Sequence, residues 1–390
     1  MRIDLIFPVL PPALDGIGDH TAHLAAALAA QDHTVRVWTA QTDPAPIPGV
    51  SIERTFTCSP RHGVRDVVPA VAADPPDWLV LQYNPFSYGR WGLNLSLPGV
   101  LTALRQQCPD MRIALMVHEP FVPVESWRFA VFTLWQRWQL WRLGQSCDAL
   151  FVAIAPWVDR FQSWFPQVPV IHLPVGSNIP YVSTDRTAIR STLGLDPETF
   201  VLGLFGSGHA SRLLPFVHQA AAALRTDGQD PTVLYIGAAD QNVNAALGSI
   251  RTRCVGALPG PEVSRHFAAM DLYLAPFRKG VSTRRGSFLV GLQHGIATVS
   301  TVGIQTDPLL RRHNNHAFVL SADDDPGAFA AHVTALAHDP ERRARTGTDG
   351  RMLFESTFAW PRLAEALTDA LHSHTPASAL ASAAAAPPSA

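Results

Sequence analysis

Cysteine is scarce: Cys58, Cys108, Cys147 and Cys254 are the whole complement, they lie far apart, and none belongs to a CxxC pair. This spacing argues against a disulfide framework or a thiolate zinc site and fits a reducing, cytoplasmic setting. Charge of one sign is lacking as well. With a formal net charge of −2 the chain has no basic footprint of the kind that phosphate-backbone binding leaves, so nucleic acid is not an expected partner. There is no uninterrupted apolar run of about 18 residues, so no membrane span is predicted. The opening stretch Met1 to Phe7 carries Asp4 inside its apolar run and reads as a first strand, not as a signal peptide. No acidic DxD-like pair sits at a predicted strand end, so no obligatory divalent metal and no resident cofactor are expected.

What the chain does have is apolar sequence in an ordered rhythm. At 390 residues, with 47% hydrophobic and 16% charged, it is long enough and apolar enough for two packed domains. Short β-branched or aromatic runs alternate with helical patterns, the mark of parallel sheets wrapped by helices. Strands are predicted at Ile3–Phe7, Val35–Thr39, Trp78–Tyr83, Arg112–Val117, Ala149–Ile154 and Val168–His172. A second series follows at Phe200–Phe205, Thr232–Ile236, Arg253–Val255, Asp271–Ala275, Ala297–Thr301 and Ala317–Leu320. The expected fold is α/β, with two Rossmann-like domains facing across a cleft: residues 1–180, residues 181–358, and a helix at 359–374 that crosses back. Residues 375–390, without a charged side chain and rich in Ala, Pro and Ser, read as a flexible tail.

Ligands of open parallel sheets sit beyond the carboxyl ends of the strands, so the loops there are the first place to look. Gly16-Ile17-Gly18 stands at a loop-to-helix junction, with Asp19 as candidate N-cap and His20 beside it. Close backbone approach and open N–H groups there suit an anionic or hydroxyl-rich ligand, while a turn that merely starts a helix is the alternative. A dinucleotide fingerprint fits poorly, because Thr21 stands at the third glycine position and eight residues separate the strand from the motif. His118-Glu119 directly follows the run Arg112–Val117 and should emerge at the end of that strand. Gly206-Ser207-Gly208-His209, followed by Arg212, joins a strand to a helix whose N-terminus is expected at Gly208, which makes either an anion site or an ordinary turn with a surface arginine. In Pro276 to Ser287, Arg278, Lys279, Arg284 and Arg285 accompany Ser282, Thr283 and Ser287 around Gly280-Val281, a composition suited to a diphosphate or a sugar; a solvated basic loop is the alternative.

Together these segments, over about residues 1–372, resemble retaining GT-B glycosyltransferases of the family-four type. The stretch Gly16-Ile17-Gly18-Asp19-His20-Thr21, then Leu24, Ala27-Leu28, His33, Val35 and Val37, is similar to that family's first-domain opening, which approaches acceptor and donor diphosphate. His118 matches the family's cleft histidine, Arg212 falls near the basic pair that holds the diphosphate, and Gly256-Ala257-Leu258 resembles the loop that contacts the base. Ala359-Trp360-Pro361 resembles the closing segment. The family usually carries two glutamates eight positions apart; alignment on Gly295 puts Ser282 and Val290 there, and Gly280-Val281-Ser282 with Arg284, Arg285 and Ser287 resembles a variant donor loop of some bacterial members.

The resemblance implies a UDP- or GDP-linked sugar as donor, a glycan or lipid-linked acceptor, and front-face displacement without a carboxylate nucleophile. His118, Arg212 and Arg285 would be the catalytic set. Polysaccharide or glycolipid biosynthesis follows as the setting. Trp135, Trp138 and Trp141 beside Arg128, Arg137 and Arg142 suit either a membrane interface, peripheral at its inner face, or a packed amphipathic helix. A nucleotide- or glycan-binding protein without turnover, or a GT-B phosphorylase or epimerase, remains the alternative.

Overall fold

The computed structural model describes residues 1–58, 63–122, 127–239 and 241–374; the tail predicted from Thr375 onward lies outside them. The chain forms two compact units, one from Met1 to Pro174 joined by the segment from Trp360, the other from Val175 to Ala359. The division precedes the boundary expected at 180 because Val175 N already donates to Thr283 O, 3.1 Å away, within the second unit.

The first unit is built on β1 (Arg2–Ile6), β2 (Thr34–Thr39), β3 (Val50–Arg54), β4 (Trp78–Tyr83), β5 (Arg112–Val117), β6 (Ala149–Val152) and β7 (Val170–His172). They form a seven-stranded sheet in the order β3-β2-β1-β4-β5-β6-β7, with parallel pairing throughout. β4 is buried at all six positions, which is why its sequence, Trp-Leu-Val-Leu-Gln-Tyr, is apolar almost without a break instead of alternating. β3 was not predicted. It is an edge strand, mostly exposed and carrying Glu53 and Arg54, so it lacks the apolar run that marks its neighbours. Asp4, the acid within β1, is buried; its Oδ2 accepts from Trp38 Nε1 at 2.7 Å and from Arg36 Nε at 3.2 Å, on the neighbouring β2. The helix Trp360–Ser373 packs against the helix Gly16–Ala29 of this unit.

The second unit holds β8 (Val201–Phe205), β9 (Thr232–Ile236), β10 (Thr252–Cys254), β11 (Leu272–Ala275), β12 (Thr298–Val302) and β13 (Val319–Ala322). Its six-stranded sheet runs β10-β9-β8-β11-β12-β13, again parallel. Phe200, Leu202, Leu204, Leu272, Leu274 and Val299 join Val217, Phe329 and Val333 in one core. Both units are therefore Rossmann-like. In each, strand order reverses beside the first strand, between β1 and β4 and between β8 and β11, and such switch points open a crevice at the carboxyl ends.

Candidate functional site

In the second unit the loops after β8 and β11 flank the switch point and are laced together. Leu213 N donates to Pro276 O at 3.1 Å, and Arg278 N donates to Ser211 O at 2.8 Å. This pairing corrects the expectation that Gly208 stands at a helix start. The helix begins only at Leu214, because residues 211–213 spend their hydrogen bonds on the neighbouring loop.

The lacing brings Gly206, Ser207, His209, Arg212, Arg285 and Ser287 around one cavity of about 440 Å³, with Phe205, Ser211 and Phe277. The guanidinium carbons of Arg212 and Arg285 each lie 4.8 Å from the centroid of the Phe277 ring. Two like charges thus share one aromatic platform. Arg212 Nη2 donates to Ser287 Oγ at 3.0 Å, and its guanidinium also bonds the buried Tyr273 hydroxyl. Gly206, at φ 116°, is glycine for a local reason: a Cβ there would stand 2.5 Å from Arg212 Nη2. The helix Gly286–Gln293 starts directly after Arg285 with no side-chain cap, so its positive dipole end adds to the same field.

Other predicted donor residues lie around this cavity but do not line it. Gly256 O accepts from Gly237 N at 2.9 Å, and Tyr235 Oη donates to Gly206 O at 2.8 Å, which ties the loops after β9 and β10 to the one after β8. Leu258 is half-buried in the same loop as Gly256. Val281 N donates to Thr301 O at 2.8 Å, and Thr283 N to Asp307 Oδ2 at 2.8 Å. Between them Ser282 is completely buried, and its hydroxyl has no partner. Arg284 Nη2 donates to Gln305 Oε1 at 3.2 Å. A second cavity, of about 390 Å³, touches Asp271 and Ala297 at the amino ends of β11 and β12, and there Asp271 is already ion-paired with Arg186 at 2.6 Å.

In the first unit the N-cap of the helix Gly16–Ala29 is Asp15, not the predicted Asp19. Asp15 Oδ1 accepts from both Ile17 N and Gly18 N at 2.9 Å, so the N–H groups expected to be open are engaged by a carboxylate. Gly18 is required by close approach, since a Cβ would stand 2.4 Å from Val9 O. Asp19, one turn in, has its carboxyl pushed up to about 6 by burial first and by the Asp15 charge second.

His20 and His118 meet edge to face, with centroids 4.7 Å apart, and Trp360 closes on His20 at 5.1 Å. His118 emerges from the end of β5 with its N donating to Tyr83 O at 3.0 Å, and its Nε2 lies 2.7 Å from Gln82 Oε1. Because Oε1 is an acceptor, Nε2 carries the proton and the neutral ring keeps Nδ1 as its acceptor. Burial pushes the His118 pKa down to about 3. Both ring nitrogens of His20 are buried without a partner, and burial holds its pKa well below the usual histidine range as well. Glu119 follows, half-buried.

A histidine kept neutral in the fold makes stability fall as pH drops from its ordinary value of 6.5 toward about 3, because the unfolded chain binds the proton first. The loss is about 1.4 kcal/mol per pH unit. Asp19 acts in the opposite sense between about 6 and 3.8, since the fold favours its protonated form. On acidification from about pH 7 to about pH 5 the melting temperature of the wild type should therefore fall more steeply than that of His118→Asn. Equal slopes in a calorimetric series would show that His118 titrates near its ordinary value.

Sequence reasoning missed Phe277 as the platform and Gln82 as the partner of His118. The signals were present: an aromatic residue two positions after a strand and before four cations, and one amide next to the end of an otherwise apolar strand.

At the level of sequence, no protein-family model and no curated protein matches the chain. The fold does match solved structures. Sucrose-phosphate synthase from Thermosynechococcus elongatus superposes with a TM-score of 0.71 at 17% identity, over 95% of this chain and 98% of that one. WaaG, a glycosyltransferase involved in lipopolysaccharide biosynthesis, gives 0.67 at 14% over 94% and 99%. HepE from Anabaena, in complex with UDP and glucose, gives 0.67 at 14% over 96% and 100%. The two Rossmann-like domains thus have the fold of GT-B glycosyltransferase structures.

Proposed function

We propose that this protein is a glycosyltransferase that moves a hexosyl group from a UDP- or GDP-sugar to a glycan, glycolipid or small-molecule acceptor, with retention at the anomeric carbon. The observation that carries the reading is the pair Arg212 and Arg285 on one Phe277 ring, both lining one cavity beside the start of the helix Gly286–Gln293. Two fixed cations and an uncapped helix start suit a diphosphate. The fold is shared with HepE, solved with UDP and glucose, and with WaaG, a glycosyltransferase.

In this reading the bond from the anomeric carbon to the diphosphate oxygen breaks and its electron pair stays on that oxygen. The acceptor oxygen bonds to the same face of the carbon, and its proton passes to the departing diphosphate. Arg212 and Arg285 offset the charge that develops there. His118, neutral and with Nδ1 as acceptor, is suited to hold a sugar hydroxyl. The setting we propose is cytoplasmic, in bacterial polysaccharide or glycolipid biosynthesis.

The two arginines supply the positive charge that a metal would otherwise bring to the diphosphate, so UDP or GDP should bind equally well in chelator. Calorimetric titration with and without EDTA checks this. Binding that vanishes with the chelator would contradict the metal-free site, and failure of both nucleotides under either condition would sink the donor reading. Ser282 and Val290 at the usual glutamate positions, both buried, favour one second reading: a nucleotide-binding protein without turnover. Release of free nucleotide from a bound UDP- or GDP-sugar in the presence of candidate acceptors separates the two.

A further inference from the structure

The helix Trp127–Gly144 buries Leu140 and Leu143 but also an inward row of polar residues, and it leaves much of its apolar surface outside. Thr133, Gln136 and Gln139 are buried at 3%, 0% and 0% exposure, while Val131, Leu134, Trp138 and Trp141 are exposed at 64%, 68%, 44% and 42%. The inward polar residues have a structural task. Thr133 Oγ1 donates to Val122 O at 2.8 Å, Gln136 Oε1 accepts from Val122 N at 2.9 Å, and Gln139 Nε2 donates to Tyr83 Oη at 3.1 Å. The outward apolar residues have no such task within this unit, and an amphipathic helix normally buries that face.

The patch continues beyond the helix. The half-exposed Trp91 ring stacks on Phe132 with centroids 5.7 Å apart, and Trp164 joins Arg137, Trp138 and Trp141 around an apolar groove of about 440 Å³. The charge beside it has one sign. The helix sequence contains no Asp or Glu, and Arg137 and Arg142 are both exposed. The same helix in a second copy of the chain offers no acid with which these arginines could pair. A surface carrying anionic phosphate has what the arginines lack.

We infer that this face docks on a bilayer containing anionic lipid, with Leu134, Trp138 and Trp141 entering the headgroup boundary and Arg137 and Arg142 binding lipid phosphates. The helix lies along the surface; among the described residues no helix is long and apolar enough to cross a membrane. The inference does not depend on the donor reading above.

Flotation of the full chain with phosphatidylcholine vesicles, with and without phosphatidylglycerol, tests it. The wild type should float with the phosphatidylglycerol vesicles and stay behind with phosphatidylcholine alone. Leu134→Ser with Trp138→Ser should reduce flotation tenfold or more, by removing apolar contact at about the value of two buried side chains. Arg137→Gln with Arg142→Gln should reduce it about fivefold per arginine and weaken its salt dependence. Trp138 packs on Trp135 and Arg137 lies over Phe121 and Trp164, so the melting temperature should fall by no more than a few degrees, while UDP binding should stay at the wild-type value, which keeps this test separate from that of the donor site. No flotation, equal flotation on both vesicles, or flotation of the apolar variant at the wild-type level would overturn the inference. So would a solution dimer that the apolar variant dissolves.

Discussion

Replacing Arg212 and Arg285 together by alanine should lower the affinity for UDP or GDP about a hundredfold or more, since each charge-assisted bond to a phosphate contributes about 1.5–3 kcal/mol. Each single variant should lose about tenfold or more on the same scale. The fold should survive. The stacking of each guanidinium on Phe277 contributes only about 1 kcal/mol, and removing both cations also removes the repulsion between them. Titration calorimetry reads the affinity, and a melting curve reads the fold. Unchanged affinity in the double variant, with normal melting, would move the phosphate site away from the loops after β8 and β11.

The second large effect is expected at Gly280, where the loop after β11 turns. Its φ is 83°, a left-handed conformation, and a Cβ would stand 2.2 Å from Gly303 N and 2.3 Å from Thr306 Oγ1. Backbone on one side and a bonded hydroxyl on the other leave no cheap relief, because Thr306 Oγ1 already accepts from Gly303 N at 3.1 Å. Gly280→Ala should therefore cost about 3 kcal/mol or more and displace the chain that leads to Arg284 and Arg285. A drop of several degrees in melting temperature, with weaker UDP binding, is the expected result. A variant that melts and binds like the wild type would mean that the loop is not held as tightly as the contact with Gly303 implies. Gly256→Ala provides the contrast: its φ is 79°, but its surroundings are open, so only the backbone preference opposes it and the loss should be about 1 kcal/mol.

The sequence by itself determined the two Rossmann-like domains. Strands of a parallel sheet are covered on both faces, so each must be apolar nearly throughout, and that requirement is local: Trp78–Tyr83, Arg112–Val117 and Thr232–Ile236 were predicted with the bounds the structure gives them. β3 escaped because an edge strand is free of the requirement. The placing of Arg212 and Arg285 after strands was legible for the same reason. Their meeting on Phe277 was not. It depends on hydrogen bonds between residues 211–213 and 276–278, more than sixty positions apart, and the same bonds forbid the helix start expected at Gly208. Asp15 took the cap from Asp19 because the helix starts a turn earlier than expected: Asp15 is extended with its carboxylate on Ile17 N and Gly18 N, and Asp19 N already donates to Asp15 O at 2.9 Å. The helix Trp127–Gly144 shows the division most plainly. Its composition allowed a packed face or an exposed one, and with three polar side chains called inward by Val122 and Tyr83, Trp138 and Trp141 stand outward. Periodicity records that a helix has two faces; which face is inside depends on the partners that the rest of the chain brings to it.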